Sequence, residues 1–439
     1  MIDPRSDSSS TWVRIARGSG ANVFAQMVVL LTQLLLVPIM ANTWGVERYG
    51  VWLLLFTIPS FLALGDLGFG TAAGTKMTML AALGDHQSVV HTFQSAILAI
   101  GITSVLIMIV GSVVILIFPF HGVDSFTRPE IRTALLVLLA YGIVCLQGSL
   151  VQGGFRCSGR YALGTGLQAF TMLVEALVAT ATVILGGSLV ALAIGYLLCR
   201  TFLIASQAVI LHRLTPWLAF GLQRASMQEI RDLLPSALAV MALPVAQAVF
   251  LQGSALMIGL AVSAKAVAIF TSVRTLTRVG VQFTTLTNHA VMPELSAFAA
   301  REEWEKVRKI VLLTIATSFV IIIPVSLVLV SFGPKIVEVW TRGAIEPSFA
   351  LIATMTAVMC VNSIWHPLSN LLLAVNRQAT YSYAYALAAC VTIAASYPLC
   401  RAIGEVGAAL AILVLDLFML LLVARLIIRE FSPFSKKPA

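Results

Sequence analysis

Long apolar runs separated by short polar segments make up nearly the whole chain. Twelve of them are centred near residues 31, 61, 104, 141, 173, 200, 247, 279, 321, 362, 390 and 415. At 1.5 Å per residue, about 20 apolar residues cross a hydrocarbon layer of about 30 Å. Only a helix or a closed barrel satisfies its own backbone polar groups there. The pattern therefore predicts an all-α polytopic membrane protein with twelve transmembrane helices. The run from Pro235 to Met292 is interrupted only by Lys265, Arg274 and Arg278, so it divides into two helices with a turn near Ala261 to Ala266. The first run, Ala21 to Ala41, is longer than the apolar part of a signal peptide and reads as a retained first helix.

Weak internal repetition organises these runs. GVERYGVWLL at 45–54 aligns with AVSAKAVAIF at 261–270, GRYA at 159–162 with NRQA at 376–379, and LVALAI at 189–194 with GAALAI at 407–412. The offsets of 216, 217 and 218 are nearly constant. Six crossings return a chain to its starting side, so the halves are expected to be parallel repeats about an axis normal to the membrane. The expected organisation is an N-terminal six-helix lobe at 1–211, a cytoplasmic amphipathic linker at 212–234, and a C-terminal six-helix lobe at 235–439, arranged around a central cavity. Ser226 followed by Glu229, ahead of Ile230 and Leu233, has the spacing of a capping box and points to a surface helix within the linker.

Composition sharpens this picture. With 59% hydrophobic and 11% charged residues, no large soluble domain is left over. The net charge of +9 does not indicate nucleic acid, because the basic residues gather at the ends of apolar runs. Eighteen of the 28 Lys and Arg residues fall on the side of the N-terminus, seven on the other side and three within runs. That bias predicts a multi-pass protein with both termini in the cytoplasm. The six cysteines have neither metal-site nor CxxC spacing and read as small apolar filler. No Ser/His/Asp arrangement, metal spacing or phosphate loop survives placement in a membrane, so an enzyme is not expected.

Charges inside the apolar runs are the candidate functional residues, since such groups are costly and usually face a bundle interior or a wet cavity. Asp66 stands in an otherwise uncharged run from Tyr49 to Ala73, among Gly65, Gly68, Gly70 and Gly74. Asn22, Gln26 and Gln33 share a face of the first helix, where they either bond across helices or line a polar cavity. Glu175 and Arg200 lie at matching depths on the two sides of the Gly186–Gly187 turn, within reach of a structural ion pair. Arg274 and Arg278, four apart, share one face with Gln282, the position to which the repeat maps Asp66. Two guanidiniums on one face suit bidentate recognition of phosphate or carboxylate. Pairing with Asp66, or with Asp416 in the last helix, is the alternative.

LGDLGFGTAAGTK following WGVERYGVW, the GRY inner loop, and VMPEL before a charged inner segment together resemble the polysaccharide flippases of the multidrug/oligosaccharidyl-lipid/polysaccharide exporter superfamily. The likeness covers essentially the whole chain. It implies a flippase carrying a polyprenyl-diphosphate-linked oligosaccharide, such as an O-antigen unit of lipopolysaccharide or an exopolysaccharide unit, from the cytoplasmic to the outer leaflet of the inner membrane. It further implies a monomer in the lipid bilayer, alternating access by rocking of 1–211 against 235–439, a coupling ion (H+ or Na+), no cofactor and no metal. Polysaccharide polymerase machinery is the expected protein partner. A lipid-II flippase, a cation-coupled drug antiporter of the same fold and a membrane scaffold are the alternatives. Arg274 and Arg278 disfavour a cationic substrate.

Overall fold

The computed structural model describes residues 6–62, 65, 67–117, 127–301, 303–374 and 379–431. Among them are thirteen helices: α1 (Ser6–Trp44), α2 (Val46–Leu62), α3 (Phe69–Ala82), α4 (His86–Ile117), α5 (Arg128–Cys157), α6 (Tyr161–Ile184), α7 (Leu189–Leu214), α8 (Met227–Ala261), α9 (Ala264–Ala300), α10 (Trp304–Trp340), α11 (Phe349–Ala374), α12 (Ala379–Ile403) and α13 (Glu405–Phe431). Among the described residues, nine helices are long and apolar enough to cross a membrane, and Val245–Ala261 of α8 is a shorter apolar stretch. The chain is an all-α multi-pass membrane protein.

Where one crossing was expected near residue 61 there are two short helices, α2 and α3. Leu67 and Gly68 both take left-handed backbone angles, φ 48° and 80°. Leu67 is strained there, whereas glycine is not. A Cβ on Gly68 would also lie 2.3 Å from the Ala237 carbonyl oxygen and 2.5 Å from the Met241 side chain. Gly68 thus stands at the start of α3 and lets the backbone of α8 approach. Beyond the break, Gly74 of α3 meets Gly153 of α5 so closely that an added Cβ would stand 3.3 Å from the opposing Cα. Small residues bring membrane helices together in this way.

The chain forms two compact units, one of residues 1–43 and 55–245, the other of residues 44–54 and 246–439. In the first, α3 packs on α4 and α5, α5 packs on α4, α6 and α7, and α6 packs on α7. In the second, α9 packs on α10 and α11, α11 packs on α10 and α13, and α12 packs on α13. The packing scheme of the second unit repeats the first with α3 to α7 replaced by α9 to α13, differing in α5 with α6 in one and α9 with α13 in the other. The core of the first unit is built on Met77, Phe93, Ile100, Leu146, Phe155 and Leu211. The apolar side chains of α4 at Val105, Leu106, Ile109, Val110, Val113 and Val114 are instead exposed, as lipid-facing residues are.

The connection from α7 to α8 differs from the amphipathic helix expected at 212–234. Residues 215–226 are turns and bends, and α8 starts only at Met227. Ser226 Oγ does accept a bond from the Gln228 amide at 3.2 Å. Glu229, the other half of the capping box, turns away to α3 and α4. Side chains of α4 hold the irregular backbone: Gln94 donates to the Ala219 carbonyl (3.1 Å) and accepts from the Arg224 amide (2.6 Å), and Ser95 Oγ accepts from the Ser226 amide (3.0 Å). Backbone groups that a helix would have satisfied are satisfied by those side chains instead.

Candidate functional site

Helix α9 carries the arginine face. It starts at a corner where Ser263 Oγ accepts from the Ala266 amide at 3.1 Å. Phe270, Arg274, Arg278 and Gln282 follow one another at four-residue steps, hence along one face. Arg274 is half-buried, with its guanidinium 5.5 Å from the Phe270 ring centre and Nη1 donating 2.9 Å to the Leu251 carbonyl on α8. The Tyr49 phenol, in the same unit, lies within electrostatic range of it. Arg278 is exposed and Gln282 half-buried. Among the described residues no carboxylate forms an ion pair with either arginine. Asp66, the expected partner, lies outside the described residues.

Asp416, the other candidate partner, forms no ion pair with the arginines among the described residues. It is buried at 4% exposure in α13. Its Oδ1 accepts from Trp365 Nε1 at 3.0 Å and, at a longer 3.5 Å, from Asn362 Nδ2, both on α11. The sequence pointed to Asp416 as a counter-charge, but nothing in its spacing marked two neutral donors on another helix as its partners.

The first unit holds the remaining candidates. Asn22 and Gln26 are exposed on α1, and Asn22 Oδ1 accepts from the Tyr161 hydroxyl at 3.0 Å. Glu175 and Arg200 meet in a two-pronged ion pair. Arg200 Nε lies 2.6 Å from Glu175 Oε1 and Nη2 lies 2.6 Å from Oε2. Tyr141 closes the group, accepting from Arg200 Nη2 at 3.1 Å and donating to Glu175 Oε1 at 3.3 Å. The tight hairpin explains the meeting: Gly186 turns the chain with φ 73°, and Ser188 Oγ caps α7 by accepting from the Ala191 amide. Every charge here has a partner, which is the condition for a buried pair to be tolerated.

A second charged cluster joins three helices at the start of α8. Lys76 Nζ (α3) and Thr92 Oγ1 (α4) donate to Glu229 Oε1 at 2.7 and 2.6 Å, and His91 Nδ1 stands 3.9 Å from Oε2. Burial pushes the Glu229 carboxyl up. The bonds from Lys76 and Thr92 and the neighbouring positive charge outweigh that and hold it below its ordinary value. Sequence reading placed Glu229 in a cap because its partner Lys76 is 153 residues away. All six cysteines are free thiols, and no group of His, Cys, Asp and Glu suited to a metal occurs among the described residues.

A family model described as polysaccharide biosynthesis protein matches residues 15–299. No curated protein matches the chain. Solved structures with the same fold include an inward-facing multidrug resistance MATE family transporter of the MOP superfamily, 15% identical, with TM-score 0.75 over 96% of this chain and 100% of the other. The lipid II flippase MurJ in an inward closed conformation is 13% identical, with TM-score 0.70 over 96% of this chain and 88% of MurJ. A MOP superfamily transporter from Pyrococcus furiosus, whose binding pocket is described as of reverse polarity, is 16% identical, with TM-score 0.61 over 97% and 96% of the two chains. At these identities the likeness is one of fold.

Proposed function

The chain belongs to the polysaccharide biosynthesis protein family and has the fold of MOP superfamily transporters, and from that premise we propose that it is a flippase for a polyprenyl-diphosphate-linked oligosaccharide. It acts in the cytoplasmic membrane as a twelve-crossing transporter, and not as an enzyme. It moves its substrate from the inner to the outer leaflet by exposing the Arg274–Arg278 face of α9 to each side in turn. The observation that carries this reading is two guanidiniums one helical turn apart with no carboxylate pairing either among the described residues. An arginine fork holds two phosphate oxygens at once. A positive face of this kind repels the cationic substrates of a drug antiporter.

The test is replacement of each arginine. In cells, Arg274→Gln and Arg278→Gln are expected to abolish or sharply lower surface polysaccharide with protein level and membrane insertion unchanged, while Lys rescues in part. With purified protein, each lost charge-assisted bond is worth about 1.5–3 kcal/mol, or roughly tenfold to a hundredfold in affinity for the diphosphate-linked lipid. Full export by both Gln variants, or loss only through degradation, would overturn the phosphate-binding reading.

A further inference from the structure

Corresponding helices of the two units treat buried charge in opposite ways. In the first unit, α5, α6 and α7 contribute Tyr141, Glu175 and Arg200, and the two charges cancel within a closed set of hydrogen bonds. In the second, the equivalent α11, α12 and α13 bring together Trp365 and Asn362, the Tyr385 phenol, and Asp416. Here there is one charge and no counter-charge: no ion pair to Asp416 exists among the described residues. Asp416 is as buried as the ion pair of the first unit, at 4% exposure against 5% for Glu175 and 8% for Arg200. Leaving a carboxylate ionised in such a place is costly unless something positive joins it.

We infer that Asp416 is a reversible proton-binding site, the carboxyl oxygen Oδ2 taking up and releasing one proton. Both donors converge on Oδ1, and no hydrogen bond to Oδ2 is present among the described residues. That is the arrangement of a neutral carboxylic acid, whose carbonyl oxygen accepts and whose other oxygen carries the hydrogen. Uptake forms one O–H bond at Oδ2 and cancels the charge; release returns the proton to water and leaves the carboxylate to the indole and amide donors. The group nearest Asp416 from α11, the Trp365 indole, presents an N–H hydrogen at 3.0 Å, which suits a carboxyl oxygen and not a hard cation, whose ligands are oxygens.

The surrounding titratable groups are few. From α12 the facing group is the Tyr385 phenol. On α11, His366 adjoins Trp365, with ring centres 5.7 Å apart. From α9, neither Arg274 nor Arg278 reaches the carboxylate. On α13 itself the nearest charged residues along the chain are Glu405 and Arg425, each more than two turns away. The assignment uses none of the arginine-face argument, and it stands or falls separately.

The experiment is infrared difference spectroscopy of the full-length protein in lipid vesicles as pH is lowered. A protonated-carboxyl C=O band should rise with acidification in the wild type, be lost in Asp416→Asn, and shift in frequency in Trp365→Phe, where Oδ1 loses a donor. If Asp416→Asn fails to fold, Asp416→Glu and isotopic labelling of aspartate carbonyls in the wild type read the same band. A wild type whose band is constant at every pH, or unchanged in the variants, would sink the proposal. So would a band that disappears when choline chloride is replaced by sodium chloride at fixed pH, because a metal cation would then be the ligand.

Discussion

Glu229 shows how a single side chain can be placed by distant partners instead of by its own sequence neighbours. Its carboxyl is held below the ordinary value of 4.5 because Lys76 and Thr92 stabilise the charged form more than burial penalises it. A carboxyl with a lowered folded-state value adds stability above its unfolded-state value and loses it as pH falls through the folded-state value. Wild-type protein in detergent is therefore expected to lose thermal stability below the ordinary glutamate range, and Glu229→Gln to lose that dependence. Melting curves at several pH values check this; parallel curves for the two proteins would remove the linkage. Residues differ in how well the sequence exposed them. Glu175 and Arg200 could be matched because a two-glycine hairpin sets their depths, and the shared face of Arg274 and Arg278 follows from a four-residue step. Trp365 and Asn362 as donors to Asp416, and Lys76 as partner of Glu229, depend on helix packing that no local pattern encodes.

Helices were readable from the apolar runs, and their interruptions were not. Hydropathy stays high through the segment between α2 and α3, so the pattern predicts one crossing there. The start of α3 is set by backbone geometry, with Leu67 and Gly68 both left-handed and the Ala237 carbonyl close against Gly68. Gly68→Ala adds a Cβ where both φ and space forbid it, and strain of this kind costs on the order of 1–3 kcal/mol. Reduced thermal stability of purified Gly68→Ala is expected, whereas Gly84→Ala, in a left-handed turn with open space around it, pays only the backbone strain. Equal melting temperatures for the two variants would show that the close approach to α8 carries no weight. The α7–α8 connection makes the same point. Its capping-box spacing does mark a helix start, that of α8 at Met227, but the residues ahead of it are not helical, because long-range bonds from Gln94 and Ser95 hold 219–226 in irregular backbone.

Repetition of the helix packing ties the two units together as copies of one plan, which three short matches at a nearly constant offset had already suggested in the sequence. Orientation in the membrane follows from charge and not from packing. Basic residues gather in the polar segments on the N-terminal side of the expected crossings, and that asymmetry predicts that this side faces the cytoplasm. Two exposed turn positions read it out. By the expected order of crossings, Leu83, 82% exposed at the end of α3, falls on the side of the N-terminus, and Leu185, 84% exposed at the α6–α7 hairpin, on the opposite side. Neither side chain is packed, so cysteine at either position should leave folding unchanged. In a chain whose six native cysteines are replaced by alanine, a membrane-impermeant thiol reagent added to intact cells is expected to label Leu185→Cys and to spare Leu83→Cys until the membrane is opened. The reverse labelling would place the termini outside and would require a substrate loaded at the cytoplasmic face to enter from the opposite end of the bundle.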